Sequence, residues 1–369
     1  MKFIDYKIKE ISKVMAGGDK PKVCSDVYSD ETPIPIYSNG MENEGLYGYT
    51  DVPKVEGDTV TISARGVNVG KVCYRETPFL PIVRLLSLIP DRKLIYVKYL
   101  YYYLKTVNIS GTGSAQPQVT VPMISDLQIH IHKDIDEQKK IASFLSTLDD
   151  KIKINNQINR NLSDLLQAIY QEQFSNVSLS KNQGILSDIC SYSKAKVAVS
   201  ELNTNTYFST ENMLPGKAGS IEATSLPAMT RTTACHKGDT LISNIRPYFK
   251  KIVYCEDVCG CSSDVLCFTP VQFQYAAYLF STLHTDKFFT FMVAGSKGTK
   301  MPRGDKQQIM TYPLILPSEK ELEEFNAVAV LVLEQLNYNR TENKRLSALR
   351  DALLPKLMSG ELDVSALDF

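Results

Sequence analysis

The sequence predicts an α/β protein of two repeated α/β units joined by two long antiparallel coiled-coil helices, with pseudo-two-fold symmetry. Three observations lead there. An internal repeat runs without a gap at an offset of 184 residues, so that Ile152 meets Leu336, Asn155 meets Asn339, Asn159 meets Asn343 and Leu162 meets Leu346. Within each copy the apolar residues recur at alternating three- and four-residue spacing, the seam of a coiled coil. Ahead of each seam lie short β-branched runs bounded by Gly, Asp and Pro, which read as strands.

The first module covers residues 1–135. Its runs TVTIS and KVCYR are strands, and LIYVKYLYYYLKTV is a helix. The tyrosines at 99, 101, 102 and 103 could stack on bases, but such rings more often fill a core. Residues 136–175 form the central spacer helix, with apolar residues at 141, 145, 148, 152, 162, 165, 166 and 169. The second module, residues 176–317, repeats the plan. TLISN and KIVYC are its strands and QFQYAAYLFSTLHTDKFFTFMV its helix. EGDTVTISARG in the first module is echoed by KGDTLISNIRP in the second. Residues 318–369 hold the second spacer helix and a tail. Its seam runs through 322, 325, 332, 336, 346, 349, 353 and 357, and Gly360 caps it after Ser359. Each helix, at about 37 residues and 1.5 Å per residue, is roughly 55 Å long.

Two long helices with apolar stripes should pack on each other. Asn155 and Asn159 sit near the middle of one stripe, Asn339 and Asn343 near the middle of the other. Antiparallel pairing brings the four amides together, and a heptad slip would bury them against Leu or Ile. The four residues are therefore expected to set orientation and register. Such a pair acts as a ruler between two similar modules. That suits a periodic two-fold target such as duplex DNA, whose half-sites are read about 34–36 Å apart or at multiples of that.

The chain resembles the specificity subunit of type I restriction–modification enzymes. SGTGSAQPQVTVPMISDLQIHI, EQKKIASFLSTLDDKIKINNQINRNLSDLL and KRLSALRDALLPKLMSGELDV carry the resemblance, which extends over essentially the whole sequence. It departs from the pattern where the second copy has PSEKELEEF against DIDEQKKIASF in the first. The resemblance implies that each module is a target recognition domain reading half of a split DNA site. It implies that the helices fix the gap and dock methyltransferase subunits, two being expected. With restriction subunits, adenine methylation would be joined by DNA cleavage. S-adenosylmethionine, ATP and Mg²⁺ would belong to those partners, with no cofactor in this chain.

The residues themselves carry no catalytic signature. No Asp-Pro-Pro-Tyr-like methyltransferase motif and no phosphate-binding GxxxxGK[ST] loop occurs. Glu137–Gln138–Lys139, with Asp126 upstream, has the E-x-K shape of a nuclease site. It also lies at a helix start, where acids are favoured by the dipole. Cys255-x3-Cys259-x-Cys261 with His236 could hold zinc, but the spacing fits no standard finger, and the eight cysteines read as buried thiols. His130 and His132 share one strand face without an obvious third ligand. No metal site is expected.

Net charge is zero, from 41 basic and 41 acidic residues, so DNA contact must come from local charge. Residues 176–317 hold 14 basic and 10 acidic residues. GSKGTKMPRGDKQQ concentrates Lys297, Lys300, Arg303 and Lys306 in a Gly-rich loop, and NIRPYFKK adds Arg246, Lys250 and Lys251. The first module offers Arg65, Lys71 and Arg75, with Gln116 and Gln118 in the GTGSAQPQ loop. Arg and Gln are preferred readers of G and A edges, so Arg65, Gln116, Arg246 and Arg303 lead the candidates. The sequence lacks an apolar run long enough to span a membrane and a signal-peptide core, which makes the cytoplasm the expected location. Two other readings stay open: a self-contained DNA methyltransferase or nuclease, and a non-catalytic protein scaffold.

Overall fold

Hydrogen bonding along both seams is helical from end to end. In the computed structural model, which describes residues 3–40, 42–111, 117–175 and 182–363, the two long helices span Ile135–Tyr170 and Glu319–Ser359. The second begins where the repeat departs from itself, and for a local reason. Ser318 Oγ accepts from the Glu321 amide while the Glu321 carboxylate accepts from the Ser318 amide, a reciprocal cap that PSEKE supplies. Gly360, with φ of +75°, ends it in the left-handed conformation that glycine adopts without strain. Among the described residues no helix is long and apolar enough to cross a membrane.

The chain divides into two units, residues 1–153 with 343–369 and residues 154–342. Both long helices are divided between the two units. Each unit includes a part of both, because each stretch of seam is buried against strands and helices of its own unit.

In the first unit an antiparallel sheet runs in the order Ser12–Ala16, Leu86–Pro90, Thr59–Ile62, Val72–Arg75. Val60, Ile62, Leu86 and Leu88 are buried from it, and the helix Val97–Thr106 packs in the same core. Tyr99 and Tyr102 are buried there, so the tyrosine run is core. Their hydroxyls are used: Tyr99 accepts from the His132 amide at 3.2 Å, and Tyr102 donates to Asp149 of the first long helix at 2.7 Å. Ile141, Ala142 and Leu145 join Leu354, Leu357 and Met358 in that core, and the Arg350 guanidinium donates to Asp149. Partner numbers fall as residue numbers rise, so the helices are antiparallel here.

The second unit repeats the topology. Its sheet runs Cys190–Tyr192, Val265–Pro270, Thr240–Ser243, Ile252–Tyr254, the same order of equivalent strands. The aromatic stretch expected as one helix is two, Ala276–Leu283 and Asp286–Ala294. The break is set by Thr285, whose hydroxyl accepts from the Phe288 amide at 3.1 Å and caps the second helix. Cys235, Cys255, Cys259, Cys261 and Cys267 pack with Met213, Leu241, Val253 and Val265 in one buried cluster, all as free thiols. His236 is exposed. Among the described residues no group of three or more His, Cys, Asp or Glu is placed to hold a metal ion.

The helices are antiparallel in this unit as well. Leu166, Tyr170 and Phe174 pack with Leu322, Phe325, Ala329 and Leu333, with the Tyr170 and Phe325 rings 6.2 Å apart. Asn155 and Asn339 are buried, an unusual place for an amide unless it is bonded. Asn339 donates to Asn159 Oδ1 at 2.9 Å and accepts from Gln335 at 2.8 Å. Of the four amides expected to meet, Asn159 and Asn339 bond directly to each other. Asn155 donates to the Glu342 carboxylate at 2.6 Å, because a charged acceptor within reach makes the stronger bond. Asn343 falls in the first unit's share of the second helix.

Asn339→Ala should lower the unfolding free energy by about 1–3 kcal/mol, since it removes a buried, hydrogen-bonded amide and leaves the half-buried Asn159 oxygen without that donor. Replacing Asn159 and Asn339 together by Leu should recover part of that loss. Denaturant titration of the chain, with the exposed Gln157→Ala as control, measures both.

Candidate nucleic-acid interface

The central strand of each sheet delivers an arginine to the same kind of place. In the first unit Thr59–Ile62 runs into Arg65, and in the second Thr240–Ser243 runs into Arg246. Each arginine then lies beside the segment that follows the unit's packed helices.

In the first unit, residues 63–71 close on themselves. Ser63 donates to the Lys71 carbonyl and Gly70 to the Ser63 carbonyl, each at 2.9 Å. Gly70 has φ of +82°, and a Cβ there would strike the Ile109 carbonyl, so the turn presses on the chain that follows the helix. The Val119 amide donates to the Ala64 carbonyl at 2.9 Å, which sets Gln118 near Arg65. Both are half-buried, and Lys71 is exposed. Gln116 lies outside the described residues.

Arg75 does not join them. Its side chain is 3% exposed, Nε donates to Thr61 Oγ1 at 3.1 Å, a terminal nitrogen donates to the Glu44 carbonyl at 2.7 Å, and the guanidinium lies 3.7 Å from the Tyr37 ring centroid. The alternation of KVCYR points this residue inward, where the guanidinium finds acceptors and a ring. Arg75 is a core residue and leaves the candidate interface.

In the second unit two loops are stitched together. Lys297 and Arg303 exchange backbone hydrogen bonds of 2.9 Å, making a small hairpin with exposed Lys300 near its tip. The Arg246 amide donates to the Pro302 carbonyl at 2.8 Å, joining that hairpin to the loop of residues 246–251. Arg303 pairs with Asp264 at 3.0 Å and Lys297 with Asp305 at 2.5 Å. Asp305 also caps the helix Lys306–Met310 through the Gln307 and Gln308 amides. Lys297, and then those amides, hold its carboxyl below the usual range. Lys306 is exposed, its ammonium 6.0 Å from the Tyr192 ring centroid.

The 246–251 loop is strained. Arg246 and Lys250 have φ of +49° and +52°, which non-glycine residues rarely adopt and which surrounding contacts must impose. Here the Gly216 and Lys217 amides donate to the Phe249 and Lys250 carbonyls at 2.8 and 2.9 Å. Lys250 and Lys217 both pair with Asp286, at 2.9 and 2.8 Å. Hydrogen bonds from Lys217 and then Lys250 bring its carboxyl down to about 2. Lys251 donates to the Thr210 carbonyl, and burial lowers its pKa.

The strained turn presents two side chains that sequence reasoning missed. Tyr248 and Phe249 are 49% and 39% exposed, their rings 4.8 Å apart. The available signal was an aromatic pair following Pro247 inside a basic stretch. The remaining sequence candidates do not gather into a second site. Asp126 pairs with Lys9 at 2.7 Å, and Gln138 is fully buried, bonded to the Tyr96 amide and the His132 carbonyl. His130 binds Asp5 at 2.7 Å and stacks on Phe3.

Comparison with known proteins places this arrangement. Residues 2–163 match the type I restriction modification DNA specificity domain. A protein of Mycoplasma pneumoniae described as a type I specificity subunit is 34% identical over 144 residues, 39% of this chain and 42% of that protein. A C-terminal specificity-subunit sequence of the same organism is 33% identical over 100 residues, 27% of this chain and 67% of that sequence. A type I specificity subunit of Methanocaldococcus jannaschii is 22% identical and is matched over 98% of this chain and 94% of its own length. The crystal structure of a type I S subunit from M. genitalium shares the fold, with a TM-score of 0.64 and 17% identity over 96% of both chains. The chain spans about two fifths of the first Mycoplasma pneumoniae relative. It belongs to the family of type I restriction–modification specificity subunits.

Arg75→Met should destabilise the first unit by about 2 kcal/mol or more, by removing a buried set of charge-assisted hydrogen bonds. Lys300→Ala, at an exposed position, should stay within about 0.5 kcal/mol of the parent. Thermal unfolding of the two variants checks the contrast.

Proposed function

We propose that this chain is the DNA-reading component of a type I restriction–modification enzyme, recognising a bipartite site with one half assigned to each unit. The observation that carries the reading is the recurrence of one arrangement in both units. A central strand delivers an arginine, Arg65 or Arg246, and a later segment bonds to the backbone at that strand end, Val119 to Ala64 in the first unit and Pro302 to Arg246 in the second. In the second unit Lys250, Lys251, Lys297, Lys300, Arg303 and Lys306 surround that arrangement with positive charge. Lysines of this kind hold phosphates and set orientation, whereas Arg and Gln side chains read base edges. In the first unit Arg65, Lys71, Gln118 and, by sequence, Gln116 take those parts. Tyr248 and Phe249 add a stacking surface on the strained turn.

The chemistry falls to partner subunits. Methyltransferase subunits, two to match the internal repeat, would bring S-adenosylmethionine for adenine methylation. Restriction subunits would bring ATP and Mg²⁺ for cleavage. The assembly would act in the cytoplasm. Support for docking on the long helices comes from apolar residues the seam leaves outside. Ile154, Ile158 and Leu165 on the first, with Leu331 and Tyr338 on the second, are 40–64% exposed in the second unit. They recur at helical spacing, so each helix carries a second apolar stripe. A protein partner would remove that surface from water.

Mapping methylated adenines in cells with and without this chain tests the reading. Methylation at a split motif should vanish without it and return with it. In a variant lacking one heptad from each long helix, about 10 Å of helix, the gap should shorten while both half-site sequences stay. Methyl transfer by the purified chain alone, or a methylation pattern indifferent to it, would sink the proposal. Ile158→Asp should weaken capture of the methyltransferase subunits tenfold or more without lowering the melting temperature, as expected for an interface anchor. Pull-down against the parent chain measures it.

A further inference from the structure

The second unit contains a cavity of about 910 Å³, a volume typical of small-ligand sites. The first long helix, the loop of residues 214–218, residues 284–287 and the second long helix line it, and it is open to solvent. It lies apart from the base-reading candidates Arg246 and Arg303, neither of which lines it.

Its charges do not cancel. Arg160 and Asp164 face it from the first helix, Lys217 from the loop, Asp286 and Lys287 from beside His284, and Arg340 from the second helix. Asp286 is already shared by Lys217 and Lys250. Arg340 forms no ion pair among the described residues, and burial lowers its pKa, opposed by the charge of Glu256. Gly219, at φ of +84°, passes close enough that a Cβ there would lie 3.4 Å from the Arg340 guanidinium carbon. A guanidinium without a carboxylate in such surroundings is ready for an external anion.

His284 is the second, independent sign. It lines the cavity and is only 7% exposed, and its Nδ1 is sealed from solvent with no hydrogen-bond partner. Burial, then Lys217 and Arg340, lower its pKa to about 3. Burial first, and then the cations around this space, keep the imidazole neutral, and an anion there would offset the cations' share. Helix pairing does not require these groups. The repeat keeps Asn339 where the first copy has Asn155, yet sets Arg340 against Asn156.

We propose that this cavity binds a phosphate group, held by Arg340 and Lys217 with His284 beside it. A guanidinium fork and an ammonium approaching from separate elements suit a tetrahedral anion with acceptors on several sides. The Lys217–Asp286–Lys250 chain links the rim to the turn carrying Tyr248 and Phe249. The phosphate therefore comes either from a free phosphorylated molecule or from the DNA backbone, and only the second source rests on the DNA-reading proposal above.

Titration of His284 by NMR distinguishes these. The full chain, ¹³C-labelled at histidine, has four imidazoles, and His284→Gln assigns the resonance. In inorganic phosphate, against chloride at equal ionic strength, the His284 pKa should rise by one unit or more, equivalent to tenfold tighter phosphate binding to the protonated form. Arg340→Gln and the milder Lys217→Gln should each abolish the rise while the spectrum stays folded. No phosphate-dependent rise, or a rise that survives both variants, overturns the proposal. A duplex saturating the chain in chloride should produce the same Arg340-dependent rise if the backbone is the source. A response to free phosphate alone assigns the site to a free ligand and leaves the methylation-mapping test of DNA reading untouched.

Discussion

The opposed packing of two long helices is the constraint on which each unit depends. An amphipathic helix of 36 or 41 residues cannot stand in water with its apolar stripe uncovered. In each unit, stretches far apart in sequence cover one another and complete the core of the surrounding module. Tyr170, Phe174 and Phe325 close one such core, Leu145 and Leu354 the other. Buried amides then make register matter. A slip would leave Asn155 and Asn339 among apolar neighbours without Glu342 and Asn159 to receive them. The desolvation cost of those amides is what separates the native pairing from its slipped alternatives.

The rigid sheets position the loops that carry the candidate chemistry. A central strand is paired on both sides, so the residue that leaves its end has a fixed origin. In the second unit that residue is Arg246, followed by a turn whose positive φ angles are imposed by bonds from the Gly216 and Lys217 amides and by the Arg246 amide's bond to the Pro302 carbonyl. The first unit solves the same geometry with Gly66 and Gly70, which tolerate positive φ at no steric cost. The repeat has therefore kept the scaffold and let the loop chemistry diverge, as expected if each unit is to read a different sequence.

Charge follows the same division of labour. A net charge of zero would argue against a nucleic-acid protein if charge were spread evenly. Here acids pair with loop lysines at Asp286 and Asp305 and fix where those lysines sit, while Lys300 and Lys306 stay exposed. The long helices meanwhile combine an inward seam with outward apolar residues such as Ile158 and Leu331, the surface on which we propose that protein partners dock.

Periodicity and repetition determined much of this from sequence alone. The seam spacing fixed both helices, the 184-residue offset fixed two like modules, and β-branched runs located the central strands. What only the tertiary structure decided depends on which groups meet across long separations. Alternation could show that Arg75 shares a strand with Cys73, but not that Glu44 and Tyr37 wait on its buried side. Spacing could align Asn155 with Asn339, but not reveal that Glu342 would capture the first amide. The break at Thr285, the exposure of Tyr248 and Phe249, and the meeting of His284 with Arg340 were equally hidden. Local pattern reports which face a residue prefers. The partner that satisfies it there is chosen by packing between distant segments, and no one stretch of chain encodes that choice.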